Sequence, residues 1–226
     1  MWTVDHIKVL EDGVSIAFAF TKIGHYVQNP PEEVFFMKSS NLLFEKNASA
    51  VTWTLLPEKS DHGLKAPAVY DPNTTVMEEG HLLPLQRGGC YAMARTDKGF
   101  IAAAQTNDST AASGWTPTKL ARFWDPRTAV GTPPKALADI PLATSHYEYN
   151  APSTDHILIY ATGLKNSRGP FTPKRQPNGQ YLLIWYNNQA DRDPYFLAAG
   201  VEAEDGSILW SQPELVLFDR VHSGYV

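Results

Sequence analysis

The sequence predicts an all-β protein, and more narrowly a β-propeller built from four-stranded antiparallel blades. Short apolar runs alternate with Pro, Asn, Asp and Gly along the chain, and these runs have the length of strands rather than helices. The same succession of strand, polar turn and tryptophan also recurs three times. Its spacing is close to the roughly 40–50 residues of one four-stranded blade, which is why we favour a propeller.

The clearest unit lies over residues 181–218. Tyr181–Tyr186 and Tyr195–Glu202 are apolar and aromatic runs separated by a segment with Asp, Arg and Pro. An Asp-Gly turn at 205–206 then leads into a third run at 208–218. Asp-Gly favours a tight hairpin because Gly tolerates the positive φ that such turns need. The unit is therefore predicted to be a series of antiparallel strands.

Three such units, at about 13–59, 76–123 and 164–218, form one propeller region spanning residues 1–226. In each, a turn rich in Ser, Asn, Asp or Gly precedes a tryptophan. We predict that these turns are scaffold and that the tryptophans pack between neighbouring blades; they are Trp53, Trp115 and Trp210.

Residues 124–163, between the second and third units, are rich in Pro, Thr and Ala and depart from this pattern. Two interpretations stay open. The segment is either a long surface loop of the kind that shapes a pocket over a propeller, or an error of the gene model such as a retained intron.

Composition and charge limit the classes of partner and function that the chain can have. With 226 residues, of which 43% are hydrophobic, the chain can bury one substantial core or two small ones. A net charge of −5 without a basic block argues against nucleic acid as a partner. No apolar run approaches the roughly 20 residues of a membrane helix, so no membrane partner is expected. The first residues do not have the pattern of a signal peptide.

The motifs for cofactors and metals are missing from the sequence. Cys90 is the single cysteine, so we expect no intrachain disulfide and predict a small buried residue. There is no Gly-rich phosphate loop, His-Glu-x-x-His or Gly-x-Ser-x-Gly motif, and no cofactor is expected. Calcium in a propeller channel stays open, because backbone carbonyl ligands leave no sequence trace. Sequons at Asn47, Asn73 and Asn107 favour a secreted eukaryotic protein.

The turns before the tryptophans resemble degenerate Asp-boxes, Ser-x-Asp-x-Gly-x-x-Trp, of sialidase-type propellers. The segment YLLIWYNN…DRDPYFLAAG…DGSILWSQPELVLFD is similar to a subgroup of sialidase-like propeller proteins with YLLWFHN, DRNPYWLSGG and WSQPEIVLYDDDP. EEGHLLPLQRGGCYAMART and LKNSRGPFTPK resemble further segments of that subgroup. The similarity covers about residues 35–219. Some members resemble enzymes that cleave rhamnose from glucuronate, and others carry only a sialidase-domain description.

This resemblance implies a secreted, carbohydrate-active propeller: a glycoside hydrolase or polysaccharide lyase acting on a terminal acidic sugar, either sialic acid or a uronate. It also implies six or seven blades, of which this chain supplies three to four. We therefore expect a partial chain, with self-association as one way to cover the open blade edges. A non-catalytic glycan-binding module or degenerate fragment is the alternative.

Polar residues at the start of an inner strand are the first catalytic candidates, because sugars bind where inner strands and loops converge. The sequence Glu78-Glu79-Gly80-His81 offers two carboxylates and a histidine that titrates near neutrality. Strand alternation turns Glu79 and His81 to one face and Glu78 to the other. Glu79 with His81 is the predicted acid/base pair, and a solvated Glu–His ion pair is the alternative.

A cationic clamp for a sugar carboxylate is implied by the resemblance. Arg168 aligns with the arginine of the subgroup's KHPR motif, and the planar guanidinium suits a carboxylate. Lys165 assists in this interpretation, and Lys65 has the equivalent position one blade earlier. The histidine and proline of KHPR are Asn166 and Ser167 here, and if that histidine is catalytic in the subgroup, this chain has lost the activity.

Two further arginines complete the comparison with sialidases, which hold their substrate carboxylate with three arginines. Arg95 and Arg192 end second strands and would join Arg168 in this task. Arg192 lies between two aspartates, so it can equally tie a loop together.

His62 precedes an inner strand on the side where loops gather. As a general base it would abstract a proton next to a uronate carboxylate in a lyase, or activate water in a hydrolase. A loop histidine that merely bonds its neighbours is the alternative.

Overall fold

The computed structural model describes residues 2–25, 29–66, 75–96, 100–121, 171–186, 195–211 and 213–217. Regular structure in these ranges is β-strand, apart from the short 3₁₀ turn Ala48–Ala50. The strands are β1 (Lys8–Val9), β2 (Ile16–His25), β3 (Asn29–Ser39), β4 (Thr54–Leu56), β5 (Met77–Pro84), β6 (Cys90–Thr96), β7 (Ile101–Thr106), β8 (Lys119–Leu120), β9 (Phe171–Arg175), β10 (Tyr181–Tyr186), β11 (Tyr195–Glu202), β12 (Ile208–Trp210) and β13 (Glu214–Leu217).

The strands form three antiparallel sheets, each an up-and-down series of neighbours in chain order. The first has the order β1-β2-β3-β4, the second β5-β6-β7-β8 and the third β9-β10-β11-β12, with β13 also paired to β11. Each sheet is built from consecutive strands, so the three sheets follow one another along the chain. The predicted fold class is confirmed: the described chain is all-β, and its antiparallel sheets each contain a four-stranded series like a blade of a partial propeller, to which the third sheet adds β13 as a fifth strand.

The middle sheet is buried on both faces, which explains why its strands are apolar almost throughout. Ala92 and Ala94 of β6 belong to a core shared with the first sheet. Tyr91 and Met93, their alternating neighbours, belong to a core shared with the third sheet. Strand side chains alternate between faces, so one strand supplies both cores. The three sheets therefore stack face to face.

The outer faces of the first and third sheets stay exposed in the described chain. Val9 and Leu55 are exposed on the first sheet, and Ile184 and Val201 on the third. The alternating burial of β10, in contrast with the uniform burial of β6, reflects this one open face. Self-association through such faces stays a prediction.

Two of the three tryptophans pack between sheets as predicted. The ring of Trp115 stacks on Phe36 of the first sheet at a centroid distance of 5.0 Å. Trp210 is fully buried in the core between the second and third sheets. For Trp53 the prediction is wrong: it is 41% exposed and makes an edge contact with Phe18 of its own sheet.

The aspartates before the two packed tryptophans hold their turns. The carboxylate of Asp108 accepts the backbone N–H groups of Thr110 at 2.9 Å and Ser113 at 3.0 Å. Asp205 accepts the N–H of Ser207 at 2.9 Å, and Gly206 has the positive φ of 81° that such a turn requires. Their predicted scaffold role is confirmed.

Three boundaries differ from the sequence prediction or fall outside the structure. β1 adds a strand to the first sheet ahead of residue 13. The run predicted at 208–218 is two strands, β12 and β13, because Pro213 lacks the N–H needed to continue the ladder. The whole segment 124–163, like the start of the third unit, lies outside the described residues.

Cys90 is buried as predicted, and burial raises the pKa of its thiol to about 12. This makes the cysteine an inert core residue. Among the described residues, no helix is long and apolar enough to span a bilayer.

Candidate functional site

A β-bulge interrupts β5 where the candidate acids lie. Glu78 pairs with Arg95 and His81 with Met93, so two residues of β5 stand opposite one of β6. Glu79, inside the bulge, has a φ of 51°, which is rare for a non-glycine residue. Its N–H donates to Thr21 Oγ1 of β2 at 2.9 Å. The neighbouring sheet thus holds the bulge in place.

Gly80 allows this close approach. A Cβ added at Gly80 would lie 2.4 Å from Cγ1 of Val34, a buried residue of β3. No larger residue fits unless the strands move apart, so the glycine is a packing requirement of the bulge.

The bulge places both glutamates on one guanidinium. Arg95 Nη2 lies 3.2 Å from Glu78 Oε2 and 3.1 Å from Glu79 Oε1, and all three side chains are buried. The expectation that strand alternation would separate Glu78 from Glu79 and group Glu79 with His81 is therefore wrong. Strict alternation does not hold here because the extra residue of the bulge changes the side of the sheet to which the following side chains point.

His81 belongs to a different cluster, centred on Asp5. Its Nδ1 lies 3.0 Å from Asp5 Oδ1, and Lys8 Nζ contacts the same carboxylate. Asp5 Oδ2 accepts the N–H of Ala19 at 2.8 Å and that of Leu82 at 3.1 Å. Asp5 therefore joins the segment before β1 to β2 and β5.

His81 does not titrate near neutrality, contrary to the expectation from its residue type. Burial lowers its pKa to about 3, with smaller contributions from the charges of Lys8 and His6. The imidazole is accordingly neutral at physiological pH and donates its Nδ1–H to Asp5. Its ring packs against Phe171 of the third sheet at 5.1 Å between centroids. These contacts describe a structural histidine.

His62 lies in the loop after β4 and is the exposed member of a carboxylate–histidine pair. Its Nδ1 is 3.1 Å from Glu33 Oε1, with the His62 side chain 67% exposed and that of Glu33 only 8% exposed. Glu33 Oε2 accepts the N–H of Gly63 at 2.8 Å. The backbone of His62 is held as well, since Ser60 Oγ accepts its N–H at 3.1 Å and donates to its carbonyl at 2.7 Å.

Strand β3 brings the His62–Glu33 pair next to the bulge. Val34, the residue after Glu33, exchanges backbone hydrogen bonds with Leu64 at 2.9 and 2.8 Å. The side chain of Val34 lies against Gly80, and its register partner on β2 is Thr21, which binds the N–H of Glu79. The pair and the Glu78–Glu79–Arg95 cluster therefore flank the same residue at the junction of the first two sheets.

The predicted cationic clamp is described only in part. Arg95 is already engaged by two carboxylates, and Lys65 is exposed between the paired residues Leu64 and Ala66. Arg168, Lys165 and Arg192 lie outside the described residues. No three His, Cys, Asp or Glu side chains in the described part of the chain are arranged to hold a metal ion.

Sequence reasoning missed Asp5 and Glu33. Glu33 had a detectable signal, because two consecutive acids, at 32 and 33, begin an otherwise apolar run in β3. Acids in such a position are buried only with partners. Asp5 had no local signal, since His81 is 76 residues away in the chain.

No protein-family model and no curated protein matches the sequence. Among solved structures, the chain is similar to the NanB sialidase of Streptococcus pneumoniae in complex with 2-[(3-chlorobenzyl)ammonio]ethanesulfonate. The TM-score is 0.49 at 18% identity, and the match covers 93% of this chain and 23% of that one. A structure of NanB with Optactamide matches with a TM-score of 0.47 at 17% identity, covering 92% of this chain and 23% of that one.

The chain thus spans less than a quarter of the length of either structure. A likeness at this level of identity bears on neither the reaction nor the substrate.

Proposed function

We propose that the chain is part of a carbohydrate-active propeller that acts on a terminal acidic sugar as a glycoside hydrolase or polysaccharide lyase. The observation that carries the proposal is the exposed imidazole of His62, held through Nδ1 by the buried carboxylate of Glu33. An imidazole bonded in this way keeps Nε2 as its basic atom, which is the arrangement a general base needs.

The two reaction classes use this base differently. In a lyase, Nε2 takes the proton from the carbon next to the uronate carboxylate, and the released electron pair forms a C=C bond as the glycosidic oxygen leaves. In a hydrolase, Nε2 takes a proton from water, whose oxygen then bonds to the anomeric carbon. In both cases the leaving oxygen is protonated by an acid or by water.

The substrate's negative charge is the second part of the proposal. We assign Arg168, Lys165, Lys65 and Arg192 to the sugar carboxylate, since lysine and arginine are the side chains suited to it. Arg95 orders the two glutamates of the bulge, because its Nη2 already lies within 3.2 Å of both. His81 takes no part in proton transfer in this scheme.

Non-catalytic glycan binding is a second candidate, and one observation favours it. Two of the three residues considered for proton transfer are occupied: Glu79 is paired with Arg95, and His81 is paired with Asp5. Binding without turnover requires only the cationic side chains.

The test is a substrate screen with the purified protein on rhamnosyl-glucuronate and sialyl oligosaccharides. Reducing-sugar release and absorbance near the unsaturated-uronate band are read together. Growth of the absorbance identifies a lyase, and sugar release without it identifies a hydrolase. Calorimetric binding without turnover supports the glycan-binding candidate, and a folded protein that neither turns over nor binds these sugars contradicts both.

A further inference from the structure

The loop that carries His62 is held unusually well for a segment with an exposed side chain. The imidazole is bonded to Glu33, the next N–H is bonded to the same carboxylate, and both backbone groups of His62 are bonded to Ser60 Oγ. A surface histidine ordinarily leaves its ring free to rotate. Here one hydrogen bond orients the ring towards Glu33, and three more hold the loop backbone and the carboxylate that the ring contacts.

The carboxylate is itself preorganised. Glu33 lies in β3 between β2 and the segment that contains Leu64, and its side chain is 8% exposed. The N–H of Gly63 binds Oε2 at 2.8 Å, which leaves Oε1 directed at the ring 3.1 Å away. The loop is pressed onto the strand, since a Cβ at Gly63 would lie 2.4 Å from the carbonyl oxygen of Val34.

From this geometry we propose that Glu33 is a positioning residue for a general base at His62. It selects the neutral tautomer with hydrogen on Nδ1, so that the lone pair is on Nε2, and it lies beside the imidazolium that forms when Nε2 takes a proton. This inference deepens the proposed function and rests on it for its catalytic part. The tautomer itself is independent of any substrate.

The tautomer is the direct test. Two-bond ¹H–¹⁵N correlation spectra of the ¹⁵N-labelled protein are recorded over a pH series, and the tautomer is taken from the high-pH end, where the ring signals no longer change with pH. The expected result for His62 is hydrogen on Nδ1, whereas a free imidazole favours hydrogen on Nε2. A wild-type spectrum with hydrogen on Nε2 overturns the inference without any variant having to fold.

Variants separate the hydrogen bond from the charge. Glu33→Asp keeps the charge but shortens the reach, and Glu33→Ala removes the acceptor; both are expected to return His62 to the Nε2–H tautomer. Asp61→Asn is the matched control, because it removes an exposed acid next to His62 without touching this contact. A control that shifts the tautomer as strongly as Glu33→Ala contradicts the inference.

Kinetics test the catalytic part once a substrate is known. Glu33→Ala is expected to lower kcat by about 10²-fold or more with little change in KM, which is the range for a general base. If the tautomer is as expected but no sugar turns over, the proposed function fails and the positioning geometry stands. If sugar turns over equally in both proteins, the positioning role fails and the proposed function stands.

Discussion

Glu79 Oε1 and Arg95 Nη2 lie 3.1 Å apart across a bulge that turns Glu79 to the same guanidinium as Glu78. Two carboxylates thus share one buried cation. The arrangement depends on a backbone conformation, the φ of 51° at Glu79, that strand alternation does not anticipate.

Removing the shared cation is expected to be strongly destabilising. Arg95→Met leaves the buried carboxylates of Glu78 and Glu79 without their guanidinium partner and should lower the free energy of unfolding by about 3–5 kcal/mol. Arg87→Met, at an exposed position, is the control and should change it by no more than about 0.5 kcal/mol. Urea unfolding measures both, and an effect at Arg95 as small as the control contradicts the ion cluster.

The bulge should be intolerant of a side chain at Gly80. Gly80→Ala places a Cβ 2.4 Å from Val34 Cγ1 and should cost about 1–3 kcal/mol of stability. In a Val34→Ala background the same change should cost less, because the clashing methyl groups are gone. A double-mutant cycle by chemical denaturation measures the coupling, and strict additivity contradicts the contact.

The free energy of unfolding should decrease as the pH is lowered, because of His81. The folded-state pKa of about 3 is below the ordinary value of 6.5, so the unfolded chain binds a proton that the folded chain does not. The stability is therefore full above about pH 6.5 and decreases by up to about 1.4 kcal/mol per unit between there and about pH 3.

Denaturation at several pH values measures this slope. A His81→Asn variant should show a flatter dependence over the same window, because the titrating group is gone. An equal slope in the variant shows that other groups cause the loss.

Glu202 joins the second and third sheets and should contribute to stability. Its carboxylate accepts the hydroxyl of Tyr181 and the N–H of Gln86, and it accepts the N–H of Arg87 at 3.0 Å. Glu202→Ala should lower the free energy of unfolding by at most about 1.5–3 kcal/mol for each hydrogen bond to the carboxylate that is lost. Glu204→Ala, at an exposed neighbouring position, is the control and should leave the free energy of unfolding almost unchanged. Equal midpoints in thermal unfolding contradict a joining role.

The strands were predictable because their signal is local. Tyr181–Tyr186 and Tyr195–Glu202 are strands over the predicted residues, since apolar runs bounded by Asp, Pro and Gly need no distant information. The turn acids Asp108 and Asp205 were predictable for the same reason. Trp53 was predicted incorrectly because its burial depends on a neighbouring sheet, which no local pattern specifies.

The site was less predictable because its contacts are distant in sequence. Glu33 and His62 are 29 residues apart, and Asp5 and His81 are 76 apart. The sequence pointed to His62 by residue type but not to the carboxylate that holds it. A single bulge was enough to reverse the predicted facing of Glu79, because side-chain direction in a strand depends on register.

A general base at His62 is tested most directly by the initial rate on a uronate-terminated or sialyl oligosaccharide for the wild-type protein and two histidine variants. His62→Gln removes the proposed base, and His6→Gln, at an exposed position, is the control. His62→Gln is expected to lower the rate by about 10²–10⁴-fold, and His6→Gln is expected to leave it unchanged. Equal rates in all three proteins contradict a general base at His62.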